Sequence, residues 1–386
     1  MKRGAFARTW QPLAPLKGLL ARWSLIFVGV FGVAICPAQS TDSTFVASFS
    51  AESQEKTPKL KEKVKHTGSL VYRFIKNFDA YDSTYIEPNH YNFTFMAQST
   101  SFFQPVRFFT TTDEGIRQSL KFSPQASVRL GPYFGWRWIF LGYTWRVSPL
   151  KKAKNSTELS LSLYSSMLGG DIMRIRNKGD FKIREATGFG DAPGSNVCGQ
   201  TFTGLNAYTD ALNAYYVFNY KHFSYPAAFN QSTVQRKSCG SWMLGFRYNH
   251  QKIEFDHTRL PDILQPWIAD EMKFTKINYT SVAVSGGYSY NWVFARNCLF
   301  GISLMPSVGF KKAKGQQLDG RQIWFGIKNL NFDAVSRIGV VWNNTRHFAG
   351  VSFISYLYDY TQDKVSLMNS MNYLNLYAGF YFHRRK

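Results

Sequence analysis

The sequence of 386 residues is poor in acid, cysteine and proline: 24 Asp and Glu stand against 46 Lys and Arg, with four Cys and 14 Pro. Four cysteines are too few for a disulfide scaffold of this length. Beyond the N-terminus no run of about 20 residues is both uncharged and predominantly apolar, which excludes a polytopic bundle of membrane helices. The seven histidines, at 66, 90, 222, 250, 257, 347 and 383, have no paired spacing of the kind a metal site needs. The Gly-Gly pairs at 169–170 and 286–287 read as close-packing or bulge positions in strands rather than a phosphate loop. No metal or other cofactor is therefore expected. What is abundant is apolar and aromatic surface. Apolar residues make up 45% of the chain, enough to exclude disorder, and 34 Phe, 22 Tyr and 10 Trp supply the aromatics. The length suits two average soluble domains or one larger all-β unit.

Residues 1–22 carry Lys2, Arg3, Arg8, Lys17 and Arg22 and no acid. The apolar stretch Trp23 to Cys36 follows, then Pro37-Ala38-Gln39-Ser40. Basic, apolar and small-residue segments in this order are those of a secretory signal peptide, with cleavage after Ala38 or Ser40. An uncleaved anchor is disfavoured by the short apolar core, and lipidation at Cys36 by the bulky Ile35 before it. Removing 1–38 takes five basic residues from a net charge of +22 and leaves +17. On an exported protein such charge points to anionic lipid headgroups, lipopolysaccharide phosphates or acidic glycans, and nucleic acid is not an expected partner.

The body alternates with period two. In 127–146, Val128, Leu130, Phe134, Trp136, Trp138 and Phe140 share one parity, and Arg129, Gly131, Tyr133, Gly135 and Arg137 the other. In 241–249, Trp242, Leu244, Phe246 and Tyr248 alternate with Met243, Gly245, Arg247 and Asn249. Stretches 157–164, 332–342 and 373–382 behave alike. Strands with one apolar face build either a soluble sandwich or barrel around a dry core, or a transmembrane barrel that is apolar outside. Aromatics near segment ends, Arg, Asn, Ser and Gly on the second parity, and the closing strand Tyr377 to Phe382 favour the membrane barrel. That strand resembles the C-terminal insertion signal of outer-membrane barrels, apart from the extra tail His383 to Lys386. The barrel assembly machinery is then a partner during biogenesis.

The fold class expected is all-β: an antiparallel transmembrane barrel of about 12 strands, within a range of 10–14. Candidate strands are 91–99, 103–111, 117–123, 127–146, 157–176, 208–222, 238–255, 277–293, 297–310, 330–343, 347–360 and 370–382. With the C-terminus in the periplasm, 294–296 and 344–346 are periplasmic turns, 147–156 and 223–237 longer periplasmic connections, and 177–207, 256–276, 311–329 and 361–369 face outward. Of the three cysteines left after cleavage, Cys239 and Cys298 lie one strand apart, roughly 10 Å, beyond the reach of a disulfide. Cys198 falls in an outer loop, and all three read as packed, unreactive thiols. The domain plan is a signal peptide (1–38), a periplasmic spacer with an amphipathic helix (39–80) and the barrel (81–386). Within the spacer, Leu60, Val64, Val71, Phe74, Ile75 and Phe78 recur at helical spacing among lysines. Such a helix lies on the membrane surface, plugs the barrel mouth or simply packs against the barrel. Asp82 and Glu87 form an acidic site or, preferably, belong to an extended lead-in segment that turns at Pro88-Asn89.

The runs YDSTYIEPNHYNFTFM (81–96), LGPYFGWRWIFLGYTW (130–145) and FSYPAAFNQSTVQRKSCGS (223–241) resemble a family of Bacteroidetes outer-membrane proteins catalogued as a domain of unknown function. The resemblance covers about 70–382. It implies an outer-membrane β-barrel in a Gram-negative cell, and no activity or functional residue.

Three groups of side chains bear on function. His222 and Ser224 share a face if they lie on a strand, where the imidazole can activate the hydroxyl for lipid hydrolysis, an arrangement similar to the His-x-Ser of lipid A deacylases. Their flanks differ from that family's and no orienting acid is evident, so incidental polar residues at a strand end are preferred. Lys311, Lys312 and Lys314, in an outer loop, either contact lipopolysaccharide phosphates or form a solvated loop, whereas the identical tetrad at 151–154 falls in a periplasmic connection. Arg137, Arg247 and Arg337 face the lumen, where they favour anions or pair with carboxylates such as Asp333. The function expected is non-catalytic: a narrow channel, a scaffold or a surface-interaction protein. A lipid-modifying hydrolase and a soluble secreted β-sandwich binder are the alternatives.

Overall fold

In a computed structural model, residues 81–384 are described except 113, 126, 137–138, 149–155, 180, 191–193, 318–321, 326–329 and 363–364. The expected signal peptide, the expected amphipathic helix, Arg137 and the 151–154 tetrad therefore lie outside the described residues. The described chain forms an 18-segment antiparallel sheet that closes on itself. Collinear segments group into twelve passes along the barrel wall: 91–111, 117–136, 139–148, 156–164, 168–187, 205–217, 239–255, 274–295, 298–317, 322–343, 347–362 and 365–384. The last pass pairs with the first and closes the ring.

The number of passes agrees with expectation, but four boundaries differ. Tyr91–Phe103 and Val106–Thr111 are one pass, because both pair with the final strand in a single unbroken register, from Phe103↔Asn372 to Val106↔Asn369. The interruption is Gln104-Pro105, where proline has no N–H to give the ladder. Arg117–Pro124 and Ser127–Trp136 are likewise one pass, interrupted next to Pro124. The expected strands 127–146 and 157–176 are instead each a pair of antiparallel strands, Ser127–Trp136 against Ile139–Gly142 and Ser156–Tyr164 against Leu168–Lys178. As a result Trp145–Ser148, which closes pass three, lies away from the short-turn end, where the connection after it was expected.

Passes three and four are short. They fill only one half of the wall, and beyond them the second pass bonds directly to the fifth, from Phe181↔Pro124 to Thr187↔Ser119. The wall is thus twelve strands round at one end and ten at the other. The twelve-strand end has tight turns. Asn297 adopts φ 63° in the turn between passes eight and nine, and Asn344 Oδ1 accepts from the amides of Arg346 and His347 in another. The ten-strand end carries the long loops 188–204 and 256–273.

The apolar parity of the sequence faces outward. Trp242, Leu244, Phe246 and Tyr248 are 67%, 50%, 44% and 40% exposed, while Met243, Arg247 and Asn249 between them are buried. Phe332, Ile338, Val340 and Trp342 and, in the last pass, Leu374, Leu376, Phe380 and Phe382 repeat the pattern. A soluble sandwich would bury this parity against a second layer, and the described residues place none against it.

Candidate functional site

The lumen is filled along its length. At the loop end Phe108, Phe122, Phe202, Phe255 and Phe274 pack ring to ring, with centroid distances of 4.9–5.9 Å among the recorded pairs. Loop 256–273 folds inward over them and buries Leu260, Leu264, Ile268 and Met272. The Gln118 amide holds that loop, donating to Trp267 O at 2.6 Å and accepting from Ala269 N at 3.0 Å.

Below this cap lies a chain of amides. Asn177 donates to Gln104, Gln104 to Asn369, and Asn369 to Gln251. Then come the buried charges. Lys311 Nζ meets Asp333 Oδ1 at 3.0 Å. Arg247 donates to Ser307 Oγ at 2.8 Å and lies over the Tyr358 ring. Arg337, 1% exposed, pairs with Asp171 inside a cage of tyrosines. Its guanidinium carbon is 5.5–5.9 Å from the ring centres of Tyr164, Tyr215, Tyr225 and Tyr356. Asp171 also accepts from Ser162, Asn213 and Tyr356. A buried pair is tolerable only when most of its remaining donors and acceptors are met, and these hydroxyls and amides meet all but Arg337 Nε, which lies among the tyrosine rings without a hydrogen-bond partner.

At the turn end the segment 218–238 between passes six and seven enters the lumen as a plug. Ser224 caps the short helix Tyr225–Phe229, accepting from Ala227 N at 3.2 Å, and Pro226 sits in its first turn. Tyr225 reaches up to Arg337 and Ser303. Ala228 rests where the wall is glycine: a Cβ on Gly301 would stand 2.6 Å from that of Ala228, and one on Gly339 would stand 3.1 Å from Ala228 O. Gln231 takes φ 62° and is held there by donating to Tyr377 and accepting from Tyr381 through its carbonyl. From below, strand Ile86–Pro88 pairs with Thr233–Gln235.

Several site residues thus lie elsewhere than the sequence implied. His222 and Ser224 are not on a strand, since the sixth pass ends at Val217 and the chain turns into the plug. His222 faces Asn219 and Asp82, whereas Ser224, 2% exposed, faces Thr233 at 2.5 Å. The hydroxyl is occupied as a helix cap, and no His222–Ser224 hydrogen bond is recorded among the described residues. Asp82 and Glu87 form no joint acidic site. Asp82 accepts from Thr84 N and Oγ1, which hold its carboxyl below the usual range, and Glu87 pairs with Arg236. Lys311, Lys312 and Lys314 lie within Cys298–Gln317, not in a loop. Alternation turns Lys311 inward, 3% exposed and paired with Asp333, so it cannot reach a headgroup, while Lys312 faces out. Arg247 and Arg337 lie inside the barrel, and Asp333 is taken by Lys311 rather than by an arginine. Sequence reasoning missed Asp171, although its parity within 168–176 was a usable signal. Cys198, Cys239 and Cys298 are free thiols, and among the described residues no three His, Cys, Asp or Glu gather as for a metal.

The family described as Domain of unknown function (DUF4421) matches residues 80–382. The chain belongs to this family. No curated protein matches it in sequence. Among solved structures, this DUF4421 barrel is similar to the outer membrane protease OmpT of Escherichia coli, at 8% identity and TM-score 0.34, covering 75% of this chain and 97% of that one. It is also similar to the attachment invasion locus protein Ail of Yersinia pestis, at 9% identity and TM-score 0.20, covering 74% and 98%. A third is the translocator domain of the autotransporter NalP from Neisseria meningitidis, at 8% identity and TM-score 0.24, covering 83% and 98%. Likeness this distant carries nothing about what the DUF4421 barrel does.

Proposed function

We propose that the chain is an outer-membrane barrel closed at rest, a non-catalytic scaffold that presents its loop end at the cell surface and its plugged end to the periplasm. The observation that carries the reading is the lumen. Three successive fillings occupy it: an apolar cap, paired charges among tyrosines, and an inserted helical segment. An open pore leaves its interior charges to water, whereas here Arg337 and Lys311 are already neutralised by Asp171 and Asp333. The membrane setting is supported by the outward belt. Residues 282–294 of pass eight present Val282, Val284, Tyr288, Tyr290, Trp292 and Phe294. On a tilted strand this run rises roughly 30 Å, enough for the apolar band of about 25 Å and an aromatic girdle. Lipid and lipopolysaccharide are the neighbours this reading requires.

Planar-bilayer recording of the purified chain tests it. No sustained conductance is expected, and discrete, lasting current steps would replace the scaffold with a channel. Carbonate extraction tests the setting, since release from the membrane pellet would return the soluble alternative.

A further inference from the structure

The outer wall of passes five to nine changes chemistry abruptly. The register sets Ile172, Leu212, Tyr248, Val282 and Phe310 in one row across these five passes. One outward position nearer the loop end, about 7 Å on along the strands, the row reads Arg174, Asp210, His250, Thr280 and Lys312. The next reads Arg176, Tyr208, Lys252 and Asn278, and the one beyond it Lys178, Asn206, Glu254 and Lys276. An unbroken apolar row is thus bordered by a basic collar on the same face.

The collar is clustered and only partly neutralised. Three cations surround the Tyr208 ring, Lys252 at 5.0 Å, Arg176 at 5.7 Å and Lys178 at 5.9 Å. Asp210 is held by Arg174 and Arg176, and Glu254 by Lys252. Among the described residues no ion pair takes Lys178, Lys276 or Lys312. Six cations, Arg174, Arg176, Lys178, Lys252, Lys276 and Lys312, face two carboxylates, an excess of four.

We propose that this collar binds the phosphorylated headgroup of a lipid in the loop-side leaflet, whose acyl chains lie along the apolar rows beneath. The inference rests on the membrane reading above. Position selects a lipid as the ligand: cations that continue directly from an acyl-facing row meet an anion carried on an amphiphile. Lysine and arginine grouped around one ring offer charge-assisted donors to phosphate oxygens.

The test uses the full chain in nanodiscs containing bisphosphorylated lipid A or its dephosphorylated form, with retained lipid read by native mass spectrometry. The wild type is expected to retain the phosphorylated form at least about tenfold better, and the triple variant Lys178→Gln, Lys276→Gln, Lys312→Gln to lose about tenfold. A charge-matched control, Lys121→Gln, Lys221→Gln, Lys237→Gln, is expected to retain it, and heat-dependent gel migration verifies that each variant is folded. Equal retention of the two lipids, or equal loss in the control, overturns the proposal. So does displacement by millimolar inorganic phosphate, which would make this a free-phosphate site. A wild type that remains in the aqueous phase without entering nanodiscs instead overturns the membrane reading, and the two failures are separately visible.

Discussion

The two ends of the lumen are sealed by opposite means. The loop end is closed by phenylalanines and an inward-folded loop whose contacts are apolar and non-directional. The turn end is closed by a five-residue helix and its flanks, held by hydrogen bonds from Gln231, Tyr381, Asn291 and Ser224 and by glycines that make room for it. Apolar packing spreads its stabilisation over many contacts and tolerates the loss of one, whereas a hydrogen-bonded plug depends on a few oriented groups. Between them the Arg337–Asp171 pair is tied to the plug, because Tyr225 reaches it.

The largest effect is expected at that junction. Asp171→Ala leaves Arg337 buried without its carboxylate and costs about 3–5 kcal/mol in urea unfolding of the folded barrel. A change near zero would mean the two ends are independent of the centre. At the loop end, Leu264→Ala removes a fully buried side chain and costs about 2–5 kcal/mol, with no new current across a bilayer because the plug remains. At the turn end, Gly301→Val drives a side chain into Ala228, costs about 1–3 kcal/mol and exposes the plug to trypsin at Arg236. Unchanged cleavage would show that the plug is held as firmly as the cap.

Ser224→Ala is smaller, about 1 kcal/mol for a lost cap, and leaves hydrolysis of lipid esters unchanged at background. The smallest effect is on pH. Asp256 is held below its ordinary value of 3.8, chiefly by the Thr258 hydroxyl. Because the folded value is depressed, this support for loop 256–273 is present above the ordinary value and is lost as pH falls through the folded one. Pepsin cleavage of the loop should rise over that interval, and Asp256→Asn should remove the dependence.

Part of this was legible in the residues. Alternation in 241–249 and 373–382 identified strands and the parity that faces out, because the two sides of a strand meet different surroundings along their whole length. The hydroxyl of Ser224 could not be judged that way. His222 and Ser224 read as strand neighbours until the chain turned at Val217, and a five-residue helix gives too little periodicity to announce itself. The basic run at 311–314 read as a loop because charge usually marks a strand's end. Its alternation, with Lys311 inward on Asp333, depends on a partner 22 residues away.

The sequence by itself determined the wall: period-two alternation and the aromatic closing strand are local patterns, each set by a residue and its near neighbours. Only the tertiary structure decided what fills the wall. Asp171 meets Arg337 across 166 positions and Gln231 meets Tyr377 across 146, and such pairings arise when the sheet closes and brings inward side chains together.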